Sequence, residues 1–171
     1  MNPPAAARNQ WPDPGRPREE PEPGSCHNQA MAILSQSDAT KVREMLGGMS
    51  QPVRLVFFTQ SLNCDTCEPT GQILNELAAL SDLITLEEHN FLLERDDAAG
   101  YGIGRVPAIA VLGAEDHGIR FFGIPSGYEF MSLIDAILLV SNGDSGLAPE
   151  SRALLAGLES PIALQVFVTP T

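Results

Sequence analysis

Hydrophobic residues recur along the middle of the chain with the spacings of alternating strands and helices. Compact apolar runs and two-residue alternation predict strands over Val53–Phe58, Ile84–Glu88, Ala108–Leu112 and Ile119–Phe122. Apolar residues at helical spacing predict helices over about 36–47, 64–80, 92–100 and 130–142, with glycines at the end of the first and the last. The two kinds of element therefore alternate through the middle of the chain.

From the first strand onwards the predicted order is β-α-β-α-β-β-α. A βαβ unit followed by a hairpin and a helix resembles the thioredoxin-like fold, so we predict an α/β sandwich of three layers for residues 31–143. The helix over about 36–47 precedes this sandwich. Pro69 is compatible with the second helix if regular helix begins near Cys67, because proline fits the first turn of a helix.

Residues 1–30 depart from this pattern. They hold seven of the 14 prolines and almost no aliphatic residues, and such a segment cannot bury enough apolar surface to offset its chain entropy. We therefore predict a disordered tail. Ser35 and Asp38 have the spacing of a helix cap soon after Met31, which makes Met31 an alternative start to Met1.

The C-terminal residues repeat part of the first unit. Residues 156–169 follow the pattern of residues 47–59, in which a helix end is followed by a proline and then by an apolar strand. We therefore predict that residues 144–171 are the first helix and strand of a second, incomplete thioredoxin-like unit, with the strand over Ile162–Val168. Because an apolar strand without partner strands is prone to aggregate, this pattern favours a truncated chain.

Charge and composition narrow the class of protein. The net charge of −12 comes from 10 basic and 22 acidic residues, and it argues against binding to nucleic acid or to an anionic membrane. No apolar run has the length of a transmembrane helix or the position of a signal peptide. Three cysteines are too few for a secreted disulfide scaffold. We therefore expect a soluble, cytoplasmic protein.

The motif Cys64-Asp65-Thr66-Cys67 holds the candidate chemistry. It lies where the first strand leads into a helix, and free backbone N–H groups and the helix dipole stabilise a thiolate at a helix N-terminus. The spacing brings both sulfur atoms within bonding distance. The pair is therefore suited to disulfide exchange, with Cys64 as the attacking and Cys67 as the resolving thiol.

The same pair is also compatible with a structural role or with half of a zinc or iron–sulfur site, for which the remaining candidate ligands are Cys26, His27, His89 and His117. Cys26 and His27 lie in the predicted tail. The two later histidines lack the spacing of metal ligands and are interpreted as surface residues. The acidic run at Glu87-Glu88 is interpreted as a solvated face.

Val106-Pro107 is the second candidate element. It follows a glycine-rich stretch, residues 100–104, that lacks the spacing of a dinucleotide-binding motif. The proline is compatible with a simple strand start. In a thioredoxin-like fold the same position is a cis-proline facing the active cysteines, which leaves the backbone of Val106 free to pair with an extended substrate.

The chain resembles the glutaredoxin-like protein disulfide oxidoreductases of archaea and bacteria, which carry two thioredoxin folds in tandem. The matching stretches within residues 31–171 are VRLVFFTQSLNCDTC, RVPAIAVL, IRFFGIPSGYEF and VFVTPT. The resemblance implies a redox-active pair at Cys64 and Cys67, attack by Cys64, and a cis-proline at Pro107. Unlike many thioredoxins, the chain has Asn63 before the first cysteine and no carboxylate in the buried strand.

The resemblance also implies partners. Disulfide-containing proteins are the expected substrates, and a thioredoxin-reductase-like protein or small thiols the expected electron donor, with no bound cofactor and no metal. A non-catalytic module for folding or docking is the alternative function. A second C-x-x-C is expected directly after Thr171, where a selenocysteine codon read as a stop, a nonsense mutation, a frameshift or deliberate trimming would each end the chain.

Overall fold

The computed structural model describes residues 32–167, and the predicted tail over residues 1–30 lies outside them. In chain order the elements are α1 (Gln36–Leu46), β1 (Val53–Thr59), α2 (Cys67–Ala78), β2 (Ile84–Asn90), α3 (Arg95–Gly100), β3 (Ala108–Leu112), β4 (Ile119–Phe122), α4 (Tyr128–Asn142) and α5 (Pro149–Ala156). From β1 to α4 they follow the predicted order, which is thereby confirmed.

The four strands form one mixed sheet in the order β2-β1-β3-β4. β1 pairs in parallel with β2 and antiparallel with β3, and β3 pairs antiparallel with β4. A parallel pair needs a crossover connection, which α2 supplies, whereas a short turn is enough to join β3 to β4. The sheet therefore combines a βαβ half with a hairpin, as the sequence predicts.

Alternate side chains of β1 enter two different cores. Leu55 and Phe57 lie on the face covered by α1, α2 and α4, whereas Val56 and Phe58 lie on the face covered by α3. All four are at most 1% exposed, so each contributes about 1.5–3 kcal/mol through burial. β1 is thereby fixed at the centre of three layers, and its C-terminal end positions the loop that leads to Cys64.

Local signals set the ends of the helices. At the start of α1, Ser35 Oγ accepts a hydrogen bond from the N–H of Asp38 at 3.1 Å. α4 ends at Gly143, whose φ of 63° lies in the left-handed region that glycine adopts at helix ends. Within residues 32–167 no helix is both long enough and apolar enough to cross a membrane.

Ser141 joins the end of α4 to the segment before β1. Its Oγ accepts hydrogen bonds from the N–H groups of Ser50 and Gln51, both at 3.0 Å, and donates to the Gln51 carbonyl at 2.6 Å. The residue is 1% exposed, and hydroxyls this deeply buried are almost always hydrogen-bonded. The entry to β1 is therefore tied to a helix that packs on its core face.

Residues 144–167 contain one helix, α5, in the place predicted for the first helix of a second unit. The strand predicted over Ile162–Val168 is not formed in its described part, since residues 161–167 have no strand pairing. A strand requires a ladder with a neighbour, and none of the four described strands pairs with this segment. Its apolar side chains, Leu164 and Phe167 among them, are exposed.

Candidate functional site

Cys64 and Cys67 are joined by a disulfide, with an S–S distance of 2.02 Å and Cα atoms 5.4 Å apart. Cys67 is the first residue of α2, and its N–H donates to the Cys64 carbonyl at 3.3 Å. The first N–H groups of a helix have no intrahelical partner. Together with the helix dipole, these groups favour negative charge on a sulfur at this end of α2.

The two cysteines differ in access to solvent. Cys67 is 2% exposed, whereas Cys64 is only half-buried. A molecule that approaches from solvent therefore meets the sulfur of Cys64 first.

The local sequence explains this geometry. Regular helix begins at Cys67, as Pro69 leads us to expect, because Pro69 occupies the third helical position, where a backbone N–H has no intrahelical partner. Asn63 has a φ of 57°, in the left-handed region that Asn tolerates better than most residues. The amide of Gln60 donates to the Leu62 carbonyl at 2.7 Å and so braces the loop between β1 and the disulfide.

A cleft of about 780 Å³ opens beside the disulfide, between α2, β2 and the loop after β1. Both cysteines line it, together with uncharged polar residues and three acidic residues, Asp65, Glu68 and Glu88. Among the described residues, no lysine, arginine or histidine lines this space. These three carboxylates define the acidic cleft.

The position of Glu88 in this cleft differs from the prediction of a solvated acidic face. Glu87 agrees with that prediction and forms an ion pair with Arg54 at 3.5 Å. Glu88 is paired with Phe57 in the β1–β2 ladder, so its side chain lies on the face that carries α2. The alternation of Ile84, Leu86 and Glu88 in the sequence was the signal that could have shown this.

The peptide bond between Val106 and Pro107 is cis. Pro107 is buried and directly precedes β3, whose first residue, Ala108, pairs with Phe58. The same register places Pro107 beside the end of β1, where the loop towards the cysteines begins. The structure thus brings Val106-Pro107 and the Cys64–Cys67 motif to one edge of the sheet.

The loop that leads to Val106 is anchored by Arg120 of β4. The Arg120 Nε donates to the Tyr101 carbonyl at 3.0 Å, and the guanidinium lies 5.6 Å from the centre of the Tyr101 ring. Arg120 also forms two hydrogen bonds to the carboxylate of Asp116, at 2.6 and 2.9 Å. These bonds, followed by one from the Gly118 N–H, lower the pKa of Asp116 from 3.8 to about 2.

The remaining candidate ligands do not gather around the cysteines. Cys26 and His27 lie outside the described residues, and His117 is exposed in the turn between β3 and β4. His89, predicted as a surface residue, is half-buried and stacks on Phe58 with ring centres 5.2 Å apart. In residues 32–167 the one cluster of three ligand-type side chains is His89 with Glu94 and Asp97, and it includes neither Cys64 nor Cys67.

The chain is similar to redox proteins over most of its length. It is 35% identical over 122 residues to an alkyl hydroperoxide reductase component of Staphylococcus epidermidis, which covers 68% of this chain and 21% of that protein. It is 32% identical over 84 residues to a probable thioredoxin of Methanothermobacter thermautotrophicus, covering 48% of this chain and 93% of the thioredoxin. No protein-family model matches the chain.

Among solved structures, the protein disulfide oxidoreductase of Aeropyrum pernix K1 superposes with a TM-score of 0.65 and 27% identity, over 72% of this chain and 55% of that one. The resemblance to this family is therefore confirmed. The chain spans about a fifth of the length of the hydroperoxide reductase component that it matches.

Proposed function

The chain belongs to the thioredoxin family of thiol–disulfide oxidoreductases, and we propose that Cys64 is its attacking thiol and Cys67 its resolving thiol, acting on disulfides of proteins. One observation carries this assignment. The two sulfurs are bonded at the N-terminus of α2, with Cys64 accessible and Cys67 buried. An exposed sulfur meets a partner, whereas a buried neighbour reacts only with the sulfur beside it.

In the direction of substrate reduction, the thiolate of Cys64 attacks one sulfur of a substrate disulfide. The substrate S–S bond breaks, an intermolecular disulfide forms at Cys64, and the other substrate sulfur leaves as a thiolate that takes up a proton. The thiolate of Cys67 then attacks the Cys64 sulfur and releases the second substrate thiol. Two electrons have passed to the substrate, and the chain is left with the Cys64–Cys67 disulfide seen in the structure.

Val106 and Pro107 are proposed to bind the backbone of the substrate near the disulfide. The ladder of β3 begins at Ala108, so Val106 lies just outside it. Proline carries no N–H that would compete for a partner, and an extended segment can add to a free strand edge through main-chain hydrogen bonds. The position of this dipeptide at the same sheet edge as the cysteines supports this role.

The electron donor is proposed to be a thioredoxin-reductase-like protein, in the cytoplasm. The oxidised pair must regain two electrons after each cycle, and disulfide exchange with a reduced dithiol supplies them without a bound cofactor. In this proposal residues 31–143 are the complete catalytic unit, residues 144–171 open a second thioredoxin-like unit, and residues 1–30 form a tail.

Reduction of insulin by dithiothreitol tests the assignment. The parent chain should accelerate precipitation of the insulin chains, Cys64→Ser should lose this acceleration, and the matched control Cys26→Ser should keep it. If Cys64→Ser is as fast as the parent, the catalytic assignment fails. Such a result would favour a non-catalytic module for folding or docking, or a metal site if zinc or iron then co-purifies at about one equivalent.

A further inference from the structure

We propose that the acidic cleft selects substrates whose disulfide is flanked by lysine or arginine and that it disfavours anionic disulfides such as that of glutathione. The inference rests on the proposed function, because it concerns the partners that reach Cys64. It goes beyond that function in assigning a specificity to Asp65, Glu68 and Glu88.

The negative charge of the cleft is not compensated within the described residues. None of the three carboxylates takes part in an ion pair or a side-chain hydrogen bond there, although other acidic residues do. Those paired elsewhere include Glu87 with Arg54, Asp116 with Arg120, and Asp144 with Arg152. The cleft beside the disulfide therefore holds three acidic side chains that remain available to a cationic partner.

The shape of the site strengthens this effect. Field lines from charges of one sign are focused in a concave space with walls of low dielectric constant, which raises the local concentration of oppositely charged partners. The wall formed by Phe57 and α2 is apolar at its base, and the cleft of about 780 Å³ is large enough for side chains that flank a disulfide. A lysine or arginine next to the substrate disulfide would enter this space while the disulfide approaches Cys64.

Glutathione disulfide has the opposite charge. Its carboxylates outnumber its amino groups, so it is repelled from the same space, and the lining offers no lysine or arginine to hold a carboxylate. The exclusion of small anionic disulfides therefore follows from the charges that favour cationic peptides.

Two synthetic peptides test the proposal. They have one sequence with an internal disulfide, and they differ only in carrying lysine or glutamate on both sides of it. The rate constant for oxidation of the reduced chain by each peptide is measured by acid quenching and chromatography of the peptide dithiol. At low ionic strength we expect the lysine peptide to react at least about tenfold faster, and this ratio to shrink in 0.5 M salt.

Matched triple variants separate the cleft from the net charge of −12. D65N/E68Q/E88Q removes the three cleft carboxylates, and E44Q/E115Q/D135N removes three exposed carboxylates that do not line the cleft. We expect the cleft variant to lose most of the tenfold preference and the control variant to keep its ratio within about twofold. Equal losses in the two variants would overturn the proposal.

The outcomes distinguish this inference from the function on which it rests. Equal rates with both peptides, or a ratio that salt does not change, would overturn the charge selection and leave disulfide exchange intact. Oxidation by neither peptide would overturn both. The salt dependence of the parent chain provides the same test should a triple variant fail to fold.

Discussion

Glu88 lies opposite Phe57 in the parallel ladder between β1 and β2. Phe57 is 1% exposed in the core beneath α2, and its partner therefore presents a carboxylate to the same side of the sheet, beside the disulfide. The edge strand thus supplies charge to a site whose sulfur atoms come from another segment of the chain. This pairing makes the cleft acidic on two sides.

Ser141→Ala should destabilise the fold by about 1–3 kcal/mol, because it leaves two buried N–H groups, those of Ser50 and Gln51, without their acceptor. Urea unfolding measures the change in the free energy of unfolding. Ser132→Ala is the matched control, since Ser132 lies on the same helix, is exposed, and bonds only to the Tyr128 carbonyl, at 3.3 Å. Equal costs for the two variants would show that the buried hydrogen bonds do not matter.

Gly113→Ala should also destabilise the fold, by about 1–3 kcal/mol, through overpacking. A Cβ at Gly113 would lie 2.8 Å from Cγ1 of Val140, so α4 would have to move away from the end of β3. Adding Val140→Ala should cost less in this background than in the parent, because it removes the clash. Gly104→Ala meets no atom within 4 Å and should change stability by less than about 0.5 kcal/mol.

Asp116→Asn should flatten the acid limb of the stability curve. The pKa of Asp116 is lowered from 3.8 to about 2 by its bonds from Arg120 and Gly118, so its carboxylate stabilises the folded state above about pH 4. That contribution is lost as the pH falls through about 2. Unfolding free energies measured from pH 7 to pH 2 should therefore show parent and variant converging, and curves that stay parallel would contradict the assignment.

Much of the fold could be predicted because its signals are local. The apolar runs of β1, β3 and β4 give their bounds to within a residue, and Pro69 correctly places the start of α2 at Cys67. The C-x-x-C motif is likewise contained in four consecutive residues.

The remaining features depend on pairing between distant segments. Glu88 belongs to the cleft only because of the β1–β2 register, and His89 is half-buried only because that register stacks it on Phe58. The strand predicted over Ile162–Val168 has the right composition but no partner ladder in the described residues, and composition alone cannot supply one.

Trapping the mixed disulfide tests the role of Cys64 most directly. In a Cys26→Ser background, reduced Cys67→Ser lacks the resolving thiol, so a disulfide-linked adduct with insulin should accumulate on Cys64. Non-reducing electrophoresis detects the adduct, and mass spectrometry of its peptides locates the bond. We expect an adduct at Cys64 and little or none with Cys64→Ser in the same background. An adduct that forms equally well on Cys67 of the Cys64→Ser variant, or none on Cys64, would contradict the assignment of Cys64 as the attacking thiol.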